Sequence, residues 1–173
     1  MNLKKIITLA IIGFSFLGLA QENVKIGIVN GDVVIQNSIK GKRFFEKFKA
    51  FNEKKTAQIK AQVDLFKQKE SDLQAKAQSL SEEKRQSSAR ELQNLQTDIK
   101  RMQEDAKRES DTMFNEALAR FQKELAPLIQ DLAQKENYDV VINDGPGSNF
   151  LYYSKKVNIT GKIIELYDAT VTD

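Results

Sequence analysis

The sequence predicts an α+β protein in which a long antiparallel α-helical coiled-coil hairpin stands on a small β body, and three observations predict it. Between Gly41 and Gly145 there is no glycine and only one proline, Pro127. Through that stretch apolar residues recur in threes and fours against a charged background, the period of a coiled coil. Outside it, short segments with strand character lie near opposite ends of the chain. Those ends must meet, so the body is discontinuous, made of residues 21–41 and 138–173, with residues 42–137 forming the arm.

Residues 1–20 read as a cleaved export signal. Lys4 and Lys5 supply the positive start, residues 6–19 an apolar run, and Gly18 and Ala20 the small residues of a cleavage site. The run is shorter than the roughly 20 residues that span a bilayer. In the next segment Val24, Ile26 and Ile28 alternate with Lys25 and Gly27, which predicts a half-buried strand. Asn30-Gly31-Asp32 then turns the chain, with Asp32 expected to cap a short helix carrying Val33, Val34 and Ile35, and Gly41 expected to end it.

The outgoing arm carries Ile59, Val63, Phe66, Leu73, Ala77 and Leu80 in one seam, with Glu70 expected at the core-type position between Phe66 and Leu73. Leu92, Leu95, Ile99, Met102 and Ala106 continue the repeat on the return arm, followed after a one-residue slip by Phe114, Leu118, Phe121, Leu125, Leu128 and Leu132. At the slip, Glu109 or Ser110 must face the seam. The run 81–88 holds no large apolar side chain, so the hairpin is expected to reverse there. Arms of about 45 residues would reach roughly 65 Å at about 1.5 Å per residue. Pro127 should bend the return helix near its base.

Beyond the arm, the text from Tyr138 to Asn143 reads as a strand whose Val140, Val141 and Ile142 are expected to be buried on both faces. Asp144-Gly145-Pro146-Gly147-Ser148 is a turn by composition. Phe150 to Tyr153 is expected to be a third strand. A last amphipathic helix, capped by Asn158 or Thr160, should place Ile159, Ile163, Leu166 and Tyr167 on one face. Such a body is too small to bury much surface and leaves open strand edges. A closed homo-oligomer with Ile26, Ile28, Val140, Val141 and Ile142 in a shared core answers both problems.

Composition excludes several functions. There is no histidine and no cysteine, so the commonest general base, thiol nucleophile and metal ligands are missing, as are disulfides and a lipid-bearing cysteine. No enzymatic chemistry and no cofactor are expected. Without Lys4 and Lys5 the net charge of +3 falls to about +1, and with no tryptophan or binding motif the chain does not read as a nucleic-acid binder. The loop 143–149 lacks the lysine and hydroxyl residue of a phosphate loop. The candidate contacts for a partner are aromatic residues at the arm base, Phe44, Phe48 and Phe51, and cations around the tip, Lys76, Lys84, Arg85 and Arg90. The main expectation for the base aromatics, with Phe45, is packing against Phe114, Phe121 and Leu125.

A strand reading Lys25-Ile26-Gly27-Ile28-Val29-Asn30, a long charged hairpin, the segment Tyr138-Asp139-Val140-Val141-Ile142-Asn143 and a final helix starting at Asn158-Ile159-Thr160 together resemble the Skp/OmpH family of periplasmic chaperones. The resemblance implies a homotrimer with a small β-barrel body and three helical tentacles that hold unfolded outer-membrane proteins in the periplasm of a Gram-negative bacterium, without ATP. It also brings in lipopolysaccharide or the membrane surface as a partner, although no motif here carries such a site residue by residue. The near-neutral mature chain departs from the strongly basic members of that family, which shifts weight from charge to apolar capture.

The rival is an exported coiled-coil spacer or adaptor that binds a folded envelope partner. A spacer gains from a continuous leucine-rich seam, whereas a holding chaperone gains from flexible arms with scattered apolar contacts, and Glu70, Ala77, Ala106 and the register slip favour the latter. Val141→Asp is expected to give monomers without holding activity, read by size exclusion with mass detection; a trimeric, fully active variant would refute the assignment of Val141 to the shared core.

Overall fold

The computed structural model describes residues 24–171, so the expected export signal lies outside the described residues. The elements are β1 (Ile26–Val29), α1 (Gly31–Asn37), α2 (Ile39–Lys76), α3 (Glu82–Lys135), β2 (Val140–Asn143), a 3-10 turn (Lys155–Val157) and α4 (Thr160–Asp168). Helix dominates, with one small sheet. The two strands are parallel, with Ile26 opposite Val140 and Val29 opposite Asn143. A parallel pair needs a crossover, and here the crossover is the whole hairpin α2–α3.

The entry to the arm is decided by three small residues. Asn30, not Asp32, caps α1: its side chain accepts from the Val33 amide at 2.9 Å, because only the residue before the helix is extended and can reach that amide. Asp32 lies inside the first turn, where its charge suits the helix dipole. Ser38, fully buried and extended (φ −70°, ψ 156°), ends α1 and caps α2, accepting from the Gly41 amide at 3.2 Å. Gly41 therefore does not stop a helix but lies in the first turn of α2. A methyl group there would stand 1.5 Å from the Ile35 carbonyl oxygen, so glycine allows the two helices to meet at this angle.

At about 1.5 Å per residue, α2 with its 38 residues is roughly 57 Å long and α3 with its 54 roughly 81 Å. The return helix is longer because its last part continues into the body, and it runs through Pro127 without interruption. The reversal occupies the residues between Lys76 and Glu82, earlier than expected. Ser81 caps α3 by accepting from the Lys84 amide at 3.4 Å, and Glu82 and Glu83 favour its first turn. The charged run taken for the tip is thus the start of the return helix.

The core lies at the foot of the arm, where Phe44, Ala117, Phe121, Leu125 and Leu132 pack with Val34, Ile35, Ile159, Ile163 and Tyr167. Leu166 is exposed and leaves the face expected of it, while Ile164 packs beside the core. Asn158 accepts from the Thr160 amide at 2.9 Å, and the Thr160 hydroxyl accepts from the Asn30 amide at 3.0 Å, joining the start of α4 to the end of β1. The expected third strand at 150–153 does not form. The edge of β1 it would need is occupied by Asn158 and Ile159, whose amide donates to Ile28 at 2.8 Å. The turn before it forms as expected: Gly147 adopts φ +93°, and Asp144 accepts from Ser148 at 2.5 Å and Tyr153 at 2.6 Å.

Gly41→Ala is expected to cost about 3 kcal/mol through the clash with Ile35, a melting drop of roughly 6–12 °C for a chain of this size. Thermal unfolding followed by circular dichroism checks it, and an unchanged midpoint would mean that the α1–α2 junction does not depend on this close approach.

Candidate functional site

The candidate site is the arm with its foot and the open side of the body. Along the arm, Ile59, Val63, Phe66, Leu73, Leu80, Leu92, Leu95, Ile99 and Met102 are all half-buried, and none is fully buried. Helix spacing lines them up, but two helices alone cannot enclose a seam. Glu70 does not take the core-type position: it is exposed, while Lys69 beside it is half-buried and pairs with Glu91 across the hairpin at 2.7 Å. The same device recurs lower down, where Lys55 meets Glu109 at 2.7 Å. Glu109 is therefore outside the seam, and Ser110 is the residue turned inward at the register slip. The charged pairs at the seam's margin hold the arms in register, although exposed pairs of this type contribute only about 0–1 kcal/mol each.

Of the base aromatics, Phe44 is 6 % exposed and belongs to the core rather than to a free contact surface. Its ring lies 5.7 Å from Phe121 in an edge-on arrangement and 5.6 Å from Phe48. Phe48 reaches Phe114 across the hairpin at 5.7 Å. Phe48 and Phe51 remain half-exposed, with the Lys55 ammonium 5.4 Å from the Phe51 ring centre. Lys76, Lys84, Arg85 and Arg90 are exposed around the tip. They do not form one basic patch, because Arg85 is held by Glu82 at 2.5 Å and Arg90 shares its surface with Glu83 and Glu91.

In the body, the five residues assigned to a shared core separate. Ile28 is buried within the single chain, and Val141 packs against the chain's own core. Ile26 and Val140, register partners on the sheet, stay open at 37 % and 42 %. Ile142 is half-buried. The expectation that β2 is covered on both faces is thus not met by one chain. In the loop that follows β2, Leu151 and Tyr152 are fully or nearly fully exposed. Their isolation was not legible in the sequence, where residues 150–153 read as a strand.

A second group missed by sequence reasoning anchors the arm. Glu124 on α3 accepts from Lys40 on α2 at 2.9 Å and from the Tyr167 hydroxyl on α4 at 2.6 Å. The Lys40 ammonium also lies 4.7 Å from the Tyr167 ring centre. Burial opposes the charge on Glu124, but the hydrogen bonds from Lys40 and Tyr167 and the nearby charges of Lys40 and Arg120 outweigh it and hold the carboxyl below its ordinary range. Tyr167 is pushed above its ordinary value by burial and by the carboxylate it donates to.

Among the described residues no cluster of acidic side chains is arranged to hold a metal, and no helix is long and apolar enough to cross a membrane. Three comparisons bear on this architecture. A family model described as outer membrane protein (OmpH-like) matches residues 25–167. No curated protein matches by sequence. Among solved structures, the chain is similar to a crystal structure from Caulobacter crescentus described as a candidate outer membrane chaperone (OmpH-like). The two share 18 % identity and a TM-score of 0.78, with 86 % of each chain covered, which shows a common fold.

The foot network sets a pH dependence. The lowered value of Glu124 means that its contribution is complete above the ordinary glutamate range and disappears as pH falls through the lowered value. The raised value of Tyr167 means that its contribution is complete below pH 10 and declines as pH rises beyond that. Glu124→Gln should lose roughly 1 kcal/mol at neutral pH and show a shallower decline between pH 5 and pH 3 in thermal unfolding. An acid limb identical to that of the parent chain would remove Glu124 from the network's account.

Proposed function

This chain belongs to the OmpH-like family of outer membrane proteins, and from that membership we propose that it is an ATP-independent holding chaperone of the periplasm. Its clients are unfolded outer-membrane proteins, held between helical arms and kept from aggregating. The observation that carries this reading is the outer arm seam: from Ile59 to Met102 every apolar residue along it is half-buried and none is closed off. A rod whose apolar stripe stays partly accessible over some tens of ångströms can make many weak contacts with an extended chain. A spacer built for rigidity would fill that stripe with leucine, whereas Ala77, Ala106 and Ser110 interrupt it here.

The open face of the body supports assembly into a homo-oligomer, with a trimer as the family expectation. Ile26 and Val140 lie uncovered on one sheet face, and Leu151 and Tyr152 are exposed in the loop after β2. Open strand edges and exposed apolar groups favour pairing with further copies. Several arms on one body would then act together, and avidity allows weak individual contacts to retain a client. Mixed charge along the arms, with acidic and basic side chains paired within each helix, limits electrostatic grip and leaves apolar contact dominant. Release follows when the client folds elsewhere and withdraws its apolar surface, so no nucleotide is required.

The test is light scattering of an outer-membrane β-barrel protein diluted from urea, with and without the mature chain. The expected outcome is suppression at a stoichiometry of one client per oligomer without ATP, with the soluble complex recovered by size exclusion. Undiminished aggregation beside an intact oligomer would favour the spacer or adaptor.

A further inference from the structure

At the foot of the arm, α2 and α3 leave a groove of 450 Å³ between them. Its floor is apolar, formed by Phe44, Phe121 and the half-buried Met113, and its rim carries Arg43 and Lys47 from one helix and Arg120 from the other. Positions 40, 43 and 47 fall on one face of α2, and 113, 117, 120 and 124 on the facing side of α3, so the arrangement follows from helical spacing. Lys40 is neutralised by Glu124 at 2.9 Å. Among the described residues no carboxylate lies within salt-bridge distance of Arg43, Lys47 or Arg120. Other arm cations, such as Lys54, Lys67 and Lys123, also lack a salt bridge; what sets these three apart is that they line one apolar floor, with the Arg120 guanidinium 5.5 Å from the Phe121 ring centre.

We propose that this groove binds the C-terminal carboxylate of an unfolded chain that ends in an apolar residue. The proposal rests on the holding-chaperone reading and names one subsite within it. Two guanidinium groups suit a carboxylate, which they can meet through paired N–H donors. The groove also contains Glu116, which opposes a doubly charged phosphate more strongly than a single carboxylate. The apolar floor directly beside the cations narrows the choice further. Only a terminal residue carries a carboxylate and an apolar side chain on the same Cα, so one residue can satisfy both rim and floor. An internal aspartate or glutamate brings the charge without the apolar group.

The test uses fluorescence anisotropy of an octapeptide, uncharged apart from its end, labelled at its amino terminus and ending in phenylalanine. It is titrated with the full mature chain beside the aggregation assay. The free-acid peptide should bind at least about tenfold more tightly than its C-terminal amide, a difference of about 1.4 kcal/mol. Arg43→Gln combined with Arg120→Gln should abolish that preference, whereas Lys54→Gln combined with Lys67→Gln, which removes equal charge from exposed positions outside the groove, should preserve it. Arg43 and Arg120 are exposed, so the substitutions leave the core intact. Equal binding of acid and amide, or a preference untouched by the groove substitutions, would overturn the proposal. So would equal binding of an amidated peptide with an internal glutamate, or binding only to phosphatidylglycerol vesicles. Peptide binding with these signatures but no suppression of aggregation would uphold the groove and refute the chaperone reading instead.

Discussion

The parallel pairing of β1 with β2 is the constraint on which the rest of the structure depends. It joins Ile26–Val29 to Val140–Asn143 across more than a hundred residues. Closing so long a loop in a flexible chain carries an entropic cost that grows slowly with length. Here the intervening chain is itself ordered, because α2 and α3 fold back on each other and return the chain to its starting point. Lys25 reinforces the closure, accepting at its carbonyl from the Asp139 amide at 2.9 Å and donating from its own amide to the Asp139 carboxylate at 2.6 Å. Body and arm therefore depend on each other: the strands meet because the hairpin doubles back, and the hairpin has a base because the strands meet.

Packing quality then falls from foot to tip. At the foot, two arm helices, α1, α4 and the sheet surround the same apolar cluster, and side chains such as Phe121, Ile163 and Tyr167 are sealed from water. Farther out each helix has one neighbour, so the seam stays half-open whatever residues occupy it. Lys55–Glu109 and Lys69–Glu91 bridge its flanks, where a larger assembly of helices would have placed apolar groups. The rigid foot and the open arm fit the division of labour proposed here, with orientation set at the base and contact spread along the length.

Much of this was legible from residue patterns. A glycine-free run with heptad spacing reports a hairpin because helix periodicity is local, and the seam positions followed from it. The two strands were visible as well, the first from the alternation over residues 24–28 and the second from the apolar run within 138–143. The errors lie where a residue's role depends on what stands opposite. Gly41 reads as a stop signal by propensity, but the Ile35 carbonyl beside it makes it a contact point. The charged run after Ser81 reads as a loop because it lacks apolar residues, yet a capped helix exposed on all sides needs none. Phe150 to Tyr153 has strand composition, yet the free edge of β1 is taken by Asn158 and Ile159 instead.

The chain's own sequence determined the local and periodic features: two long amphipathic helices, their seam, the small β segments and the absence of histidine and cysteine chemistry. Only the tertiary structure decided which side chains from distant elements meet. The union of Lys40, Glu124 and Tyr167, the burial of Phe44, the exposure of Leu151 and Tyr152 and the groove between Arg43 and Arg120 all belong to that second group. The physical reason is one of range: helix period and capping act within a few residues, whereas burial and charge pairing depend on neighbours brought close from anywhere along the chain.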